Sequence, residues 1–245
     1  MTTDTFSRFS SKAEKYALYR PDYAPEAIQT IFEQTQLTGE SVIADIGAGT
    51  GIVSRHFVEN SISVYAVEPN QQMRYYAERK LGKSPFFHSV SGTCQATTLP
   101  DASIDLIIVG QALHWFDPKP TKREFVRILK ENGSLAILDP YCFFRYSVLD
   151  GNYEIHEELE REFNRVFVAE NGWGTDLSDE KLIDRKPYEW YFAENSLLRF
   201  DFTQPHDFNQ EQLVGWIASQ SSAPDETHNT HHISRRTGYA ISPRY

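Results

Sequence analysis

Cysteine is nearly absent: Cys94 and Cys142 are the only two in 245 residues. Neither sits in a C-x-x-C arrangement, so a disulfide framework, a zinc ribbon and a dithiol redox pair are all excluded, and the thiols read as reduced in a cytoplasmic setting. Basic residues are also scarce. Twenty-four Lys and Arg face 34 Asp and Glu, a formal net charge of −10, and so acidic a chain argues against a nucleic-acid substrate, whose phosphates would need neutralising. No apolar run reaches the length of a membrane span, and the polar N-terminus lacks the charged-then-apolar pattern of a signal peptide. No G-K-[ST] follows a glycine-rich turn, which excludes a P-loop. What is left, at 40% hydrophobic and 24% charged residues, is the composition of an ordinary soluble domain with a sizeable core.

The most informative stretch runs from Val42 to Gly51. An apolar strand enters a turn with glycine at every second position, Gly47, Gly49 and Gly51, and a helix-forming segment follows. Glycine serves where φ is positive or where a ligand approaches the main chain, and between a parallel strand and a helix such a turn binds nucleotide-like cofactors. A second strand-like run ends in Glu68, placed to accept from both hydroxyls of a ribose, so the ligand carries an adenosine-type sugar. The dinucleotide fingerprint needs a third glycine where this chain has Ile52. Asp45 opens the loop and no Lys or Arg appears before Arg55, which suits an ammonium or sulfonium better than a diphosphate. A turn that merely packs a helix close to a sheet is the simpler alternative.

Strands and helices alternate along the chain and predict a doubly wound, mostly parallel α/β sheet with helices on both faces. Strands are expected at Ser41 to Ile46, Ser63 to Val67, Phe86 to Val90, Ile104 to Val109 and Ser134 to Asp139. Helices are expected over Ala24 to Glu33, Asn70 to Lys80 with Asn70 as N-cap, and Pro118 to Leu129. A helical cap inserted after strand five is expected over 141–194, including an amphipathic Tyr153 to Val168. Leu197 to Phe202 reads as a sixth strand and Gln210 to Ser219 as a short helix. One domain over 1–245 is therefore expected: an N-terminal helical lid (1–38), a cofactor-binding core (39–140), the cap insertion (141–194), and a C-terminal strand, helix and irregular tail (195–245). His228, His231 and His232 cluster in that tail without a carboxylate in register, which reads as solvated; no metal site is expected.

Asp45-Ile46-Gly47-Ala48-Gly49-Thr50-Gly51 followed by Val67-Glu68-Pro69 resembles the first two motifs of the class I S-adenosylmethionine-dependent methyltransferases. The resemblance continues through Gly92 to Ala96, Leu99-Pro100-Asp101, Asp105 to Val109 and Gln111 to Phe116. His114-Trp115-Phe116 and the early Tyr19-Arg20-Pro21 are similar to the type 11 subgroup that includes trans-aconitate methyltransferase-like proteins. It covers residues 15–140 well and thins out towards 218. It implies a Rossmann-like methyltransferase fold, S-adenosylmethionine as cofactor, and a small-molecule acceptor, with a lean towards a carboxylic acid; fold alone does not fix the acceptor.

The resemblance also distributes roles. Gly47, Gly49 and Gly51 would pass the methionine portion of the cofactor, Asp45 would anchor the loop and the amino group, and Glu68 would hold the ribose. Pro69 and Asn70 would line the adenine slot, and Thr93, Cys94 and Gln95 would border the base, though none of these three is acidic. Gly110 and Gln111 fall where the methionine moiety would pass. Tyr19, Arg20, His114 and Trp115 would face the acceptor, with Tyr16 beside them in a segment folded over the cofactor. His114 is the candidate general base, or else a packed histidine bracing the pocket; Trp115 offers a π face or a core ring. The cations Lys119, Lys122, Arg123, Arg127 and Lys130 read as one solvated helix face. A nicotinamide-dependent oxidoreductase and a non-catalytic module that binds the cofactor are the competing readings.

Overall fold

A computed structural model describes residues 10–138, Tyr191, Leu198, Phe200, Phe202 and 209–219. The chain divides into two compact units, 1–140 with 187–206, and 141–186 with 207–245. The second contributes one described helix, Gln210–Ala218.

The elements of the first unit, in chain order, are α1 (Ala13–Tyr19), α2 (Pro25–Thr35), β1 (Val42–Ile46), α3 (Ile52–Val58), β2 (Ser63–Val67), α4 (Gln71–Leu81), β3 (Phe87–Val90), β4 (Ile104–Gly110), α5 (Pro118–Ile128) and β5 (Leu129–Leu138). The five strands form one sheet in the order β3-β2-β1-β4-β5, and every pair is parallel. The chain starts at β1 in the centre, winds outward through β2 and β3, then returns to the other side of β1. That reversal opens a crevice at the carboxyl end of β1, where ligands bind in such sheets.

Both faces of the sheet are covered, and the strand sequences show why. On β4, Leu106 and Ile108 point to one core with Ile43, Val64 and Phe57, whereas Ile107 and Val109 point to the other with Ala44, Ile46, Phe125 and Ile128. A strand that alternates between two apolar layers must be apolar at every position within them, as β4 is from Leu106 to Val109. Pro25 begins α2, and Asn70 caps α4, its Oδ1 accepting from the Gln72 and Met73 amides at 2.9 and 3.1 Å.

The strand expected from Ser134 begins at Leu129. Leu129 pairs with Ile104 straight out of α5, three exposed residues loop away, and pairing resumes with Ser134 opposite Leu106. Hence Gly133, where a Cβ would stand 3.1 Å from the Ile104 carbonyl. In the expected sixth strand, Leu198, Phe200 and Phe202 are described; they lie outside any strand with exposed side chains. Tyr191, within the span expected for the cap, sets its ring 6.0 Å from that of Phe125 in the first unit. The rest of the expected cap and the tail beyond Ser219, with His228, His231 and His232, lie outside the described residues, as does Cys142.

The expected solvated face of α5 is partly an ion-pair network. Arg127 donates to both Glu124 oxygens, at 2.8 and 2.7 Å, and to Asp101. Lys130 pairs with Asp105, whose Oδ2 also accepts from the Val42 amide at 2.8 Å. Glu124 in turn accepts from the Thr97 amide and hydroxyl at 2.8 and 2.6 Å. The Arg127 hydrogen bond chiefly, with the Thr97 donors, holds its carboxyl down at about 2. A depressed carboxylate stabilises the fold above its unfolded pKa and loses that contribution as pH falls through the folded value. Glu124→Ala should therefore cost about 1–3 kcal/mol at pH 7 by stranding the buried Thr97 donors. The gap to the parent should narrow between pH 4.5 and 2, as urea denaturation across that range would show.

Candidate functional site

Parallel pairing of β1 with β2, Ile46 opposite Val67, brings the glycine turn level with Glu68. The Gly47 and Ala48 amides both donate to the Val67 carbonyl, at 2.9 and 3.2 Å. The next amide, of Gly49, donates to Glu68 Oε2 at 3.0 Å, while Oε1 accepts from the Asn70 amide at 2.8 Å. Arg74 clamps the loop behind it, donating to the Glu68 and Pro69 carbonyls at 2.7 and 2.9 Å. A carboxylate has about four acceptor positions, so both Glu68 oxygens retain capacity for further donors. Burial pushes its pKa up, against the opposing pull of the two amides and Arg74.

The three glycines, all at positive φ, answer three different constraints. A Cβ on Gly47 would stand 2.7 Å from that of Ala112, just past β4; one on Gly51 would meet Leu81 and Ala77 of α4 at 3.0 and 3.3 Å. Those two are packing glycines. A Cβ on Gly49 would meet only a Tyr16 ring carbon, at 4.0 Å. Gly49 is thus the one with room beside its main chain, facing the Tyr16 ring that lines the cleft.

Asp45, on β1, is 2% exposed and accepts from the Ser54 hydroxyl of α3 at 2.6 Å. It lines the cleft with Gly47, Ile52 and Gly110. Across from them stand Tyr16, Arg20 and Tyr23 of the N-terminal segment. Arg20 lies over the Tyr16 ring at 4.6 Å and donates to Gln111 Oε1 at 2.9 Å. Gln111 holds a left-handed φ of 53°, a conformation costing about 1–3 kcal/mol in a non-glycine and concentrated at functional sites. Gly110 is required because a Cβ would stand 2.6 Å from the Tyr23 hydroxyl.

Of the residues singled out from the sequence, the structure places Asp45, Gly47, Gly110, Gln111 and Arg20 along one cleft, with Gly49 and Glu68 bonded to each other at the same turn. It turns others elsewhere. The Cys94 side chain is buried and accepts from the Thr121 hydroxyl at 3.4 Å in the core beneath α5, so only its backbone is available to a ligand. Asn70 spends its side chain on capping α4 and on the Ser10 hydroxyl, at 3.0 Å. Thr93 closes a tight turn with Ala96, through paired backbone bonds of 3.1 Å. Gln95 and Tyr19 are half-buried and not among the residues lining the cleft. His114 and Trp115 sit on a single 3-10 turn after Gln111, their rings 4.8 Å apart, with His114 exposed and neither lining the cleft. Sequence reasoning missed Arg74 and Tyr23. The Glu68-to-Arg74 spacing, across a capped helix start, was the available signal for the first; Tyr23 carried none.

A positive-φ glycine turn thus sits between two buried acids, Asp45 in β1 and Glu68 just past β2. Residues 44–137 match the methyltransferase-domain family. An uncharacterized methyltransferase of Mycobacterium tuberculosis is 33% identical over 130 residues, 53% of this chain and 51% of that protein. A protein described as a methyltransferase in Dictyostelium discoideum is 26% identical over 216 residues, covering 87% and 76%. A solved structure described as a type II methyltransferase from Anaeromyxobacter dehalogenans superposes with a TM-score of 0.58 at 20% identity, covering 91% and 84%, and shows the same fold. Residues 44–137 thus resemble the class I S-adenosylmethionine-dependent methyltransferase domains, and that likeness supports S-adenosylmethionine as the cofactor. The chain spans about half the length of the mycobacterial relatives it matches, 51%.

Burial drives the Asp45 carboxyl up to about 6, opposed by the Ser54 bond and reinforced by the negative charge of Glu68. A raised carboxyl destabilises the fold once ionised: stability is full below the unfolded pKa and falls as pH rises through about 6. Asp45→Asn should remove that fall. The variant should match the parent near pH 4 and exceed it at pH 8 by up to about 3 kcal/mol, measured by chemical denaturation at both values; a gap independent of pH would refute the account.

Proposed function

We propose that this chain is a cytoplasmic methyltransferase that transfers the cofactor's methyl group to a small-molecule acceptor. The observation that carries the reading is a pair of neighbouring buried carboxylates at the glycine turn, Asp45 lining the cleft and Glu68 holding the Gly49 amide. Glu68 would accept from the ribose hydroxyls. Asp45 would meet the ammonium group, whose charge would keep it ionised. Arg20, opposite, would take the α-carboxylate or an anionic acceptor by charge-assisted bonds. Pro69 and the Thr93-to-Gln95 backbone would border the adenine.

When bound, the cofactor supplies a methyl group already activated on a sulfonium. What the protein must add is alignment of acceptor, carbon and sulfur at near-attack distance, with water excluded. An acceptor carboxylate arrives ionised and needs no base, and Arg20 favours such an anion. A phenol or hydroxyl would need its proton removed; His114, exposed on the turn after Gln111, would take that part for an acceptor that extends beyond the cleft lining. The overall charge of −10 supports a partner other than nucleic acid. The lid, core and cap division of one methyltransferase unit remains part of this reading; Tyr16, Arg20 and Tyr23 along the cleft support the lid.

Thermal unfolding with S-adenosylmethionine, S-adenosylhomocysteine and NADH added separately tests the reading. A ligand at a hundred times its Kd stabilises by about 2.7 kcal/mol, and a shift with the two sulfur compounds alone is expected. A shift with NADH alone would make the chain an oxidoreductase. Glu68→Ala should weaken S-adenosylhomocysteine binding by about 1–3 kcal/mol in calorimetry. Binding by the parent should also fade as pH drops through about 6, where Asp45 takes up its proton. Transfer to small carboxylic acids that survives His114→Ala would establish the base-free route, and cofactor binding with no transfer across acids and phenols would establish a binding module instead.

A further inference from the structure

The cleft wall supplied by the N-terminal segment is held by a residue that does not line the cleft. Asp22 lies between Arg20 and Tyr23 and reaches down to α3. One carboxylate oxygen pairs with Arg55; the other lies 2.7 Å from His56 Nε2 and accepts from the Tyr23 amide at 3.0 Å. Lys80, on α4, feels Arg55, Asp22 and Glu59, so Asp22 is set among three basic side chains from two helices, with Glu59 sharing Lys80. The carboxylate is only partly exposed, at 37%, and Arg55 and His56 are more covered still, at 28% and 19%. Ion pairs so placed are less screened than pairs fully in water. Other ties of this segment include the Arg20–Gln111 bond, charged at one end, and the Ser10–Asn70 bond between neutral groups.

We infer that Asp22 is a positioning residue: by pairing with Arg55 and His56 it latches the segment carrying Tyr16, Arg20 and Tyr23 onto α3, and so sets how tightly the cleft retains its cofactor. This rests on the cofactor reading above. Arg55 and His56 belong to the helix that begins immediately after Gly51, so the latch joins the cover to the same element that carries the binding turn. With the latch broken, the segment spends more time away from the turn, and the apparent affinity falls by the fraction of time the cleft is assembled. Burial alone would raise the Asp22 pKa, yet the His56 bond and charge, the Tyr23 amide and Arg55 together bring it below the ordinary value, so the latch stays ionised at neutral pH.

Calorimetric titration of S-adenosylhomocysteine into the parent, Asp22→Ala, Arg55→Ala and the double variant tests this, alongside trypsin cleavage after Lys15. Asp22→Ala should weaken binding about five- to tenfold, Arg55→Ala less, and the double variant should bind like Asp22→Ala alone, because the two residues act through one contact. Cleavage after Lys15 should quicken in Asp22→Ala and slow again when S-adenosylhomocysteine is added. Should Asp22→Ala fold poorly, Asp22→Asn makes the same comparison with the shape kept. Affinity equal to the parent's, additive losses in the double variant, or unchanged cleavage would each overturn the latch. Failure of the parent itself to bind would sink the cofactor reading, while the cleavage comparison without ligand would still decide whether Asp22 holds the segment down.

Discussion

The parallel contact between β1 and β2 is the constraint on which the site depends. It presents the Val67 carbonyl to the Gly47 and Ala48 amides and the Glu68 carboxylate to the Gly49 amide. Three consecutive amides are thereby satisfied by one strand end, and a turn of left-handed residues becomes a fixed surface. A one-residue slip between these strands would reverse every side chain on them, and each is buried on both faces at Ile43, Ala44, Val64 and Val67. The register is thus set by the core, and the site inherits it.

Two buried carboxylates, Asp45 in the cleft and Glu68 near enough to repel it, stand together at a cost the fold tolerates. Asp45 is covered by the sheet, α3 and the N-terminal segment, which removes the water that would stabilise its charge. That expense is useful only if a cation restores the balance, and the nearby cation, Arg20, is already engaged with Gln111 and Tyr16. A site that stores destabilised negative charge favours a positive ligand over a neutral isostere, because binding relieves what folding imposed. The same logic accounts for the poor fit to a diphosphate, which would add charge of the wrong sign.

The frame was legible because it is periodic or local. Apolar β4, the turn glycines, Glu68 and the Asn70 cap each follow from residues near one another in sequence. Long-range pairing was not legible. Tyr23 meets Gly110, and Asp22 meets Arg55, only after the chain doubles back, and nothing in their spacing marks them. Cys94 was read as bordering a ligand because its neighbours resemble a motif, yet a short turn at Thr93–Ala96 rotates its thiol into the core beside Thr121. The late start of the expected fifth strand had a different cause: Leu129 pairs with Ile104 before the exposed excursion, and a bulge of that size breaks the alternation by which a strand is recognised.

The division of labour between core and cover has a consequence for how such a domain acquires new substrates. Asp45, Glu68 and the glycine turn lie within 44–137, the span that matches the methyltransferase-domain family, whereas Tyr16, Arg20, Asp22 and Tyr23 lie ahead of it. The core carries the strict geometry, since its glycines, register and buried acids leave little room for substitution. The cover is attached through side chains, at Asp22, Arg20 and Ser10, and through no strand pairing among the described residues. Side-chain ties can be exchanged one at a time without disturbing a hydrogen-bonded sheet. On the proposed function, a new acceptor would be accommodated by altering the segment along the cleft, while the geometry that holds the cofactor stays with the sheet beneath it.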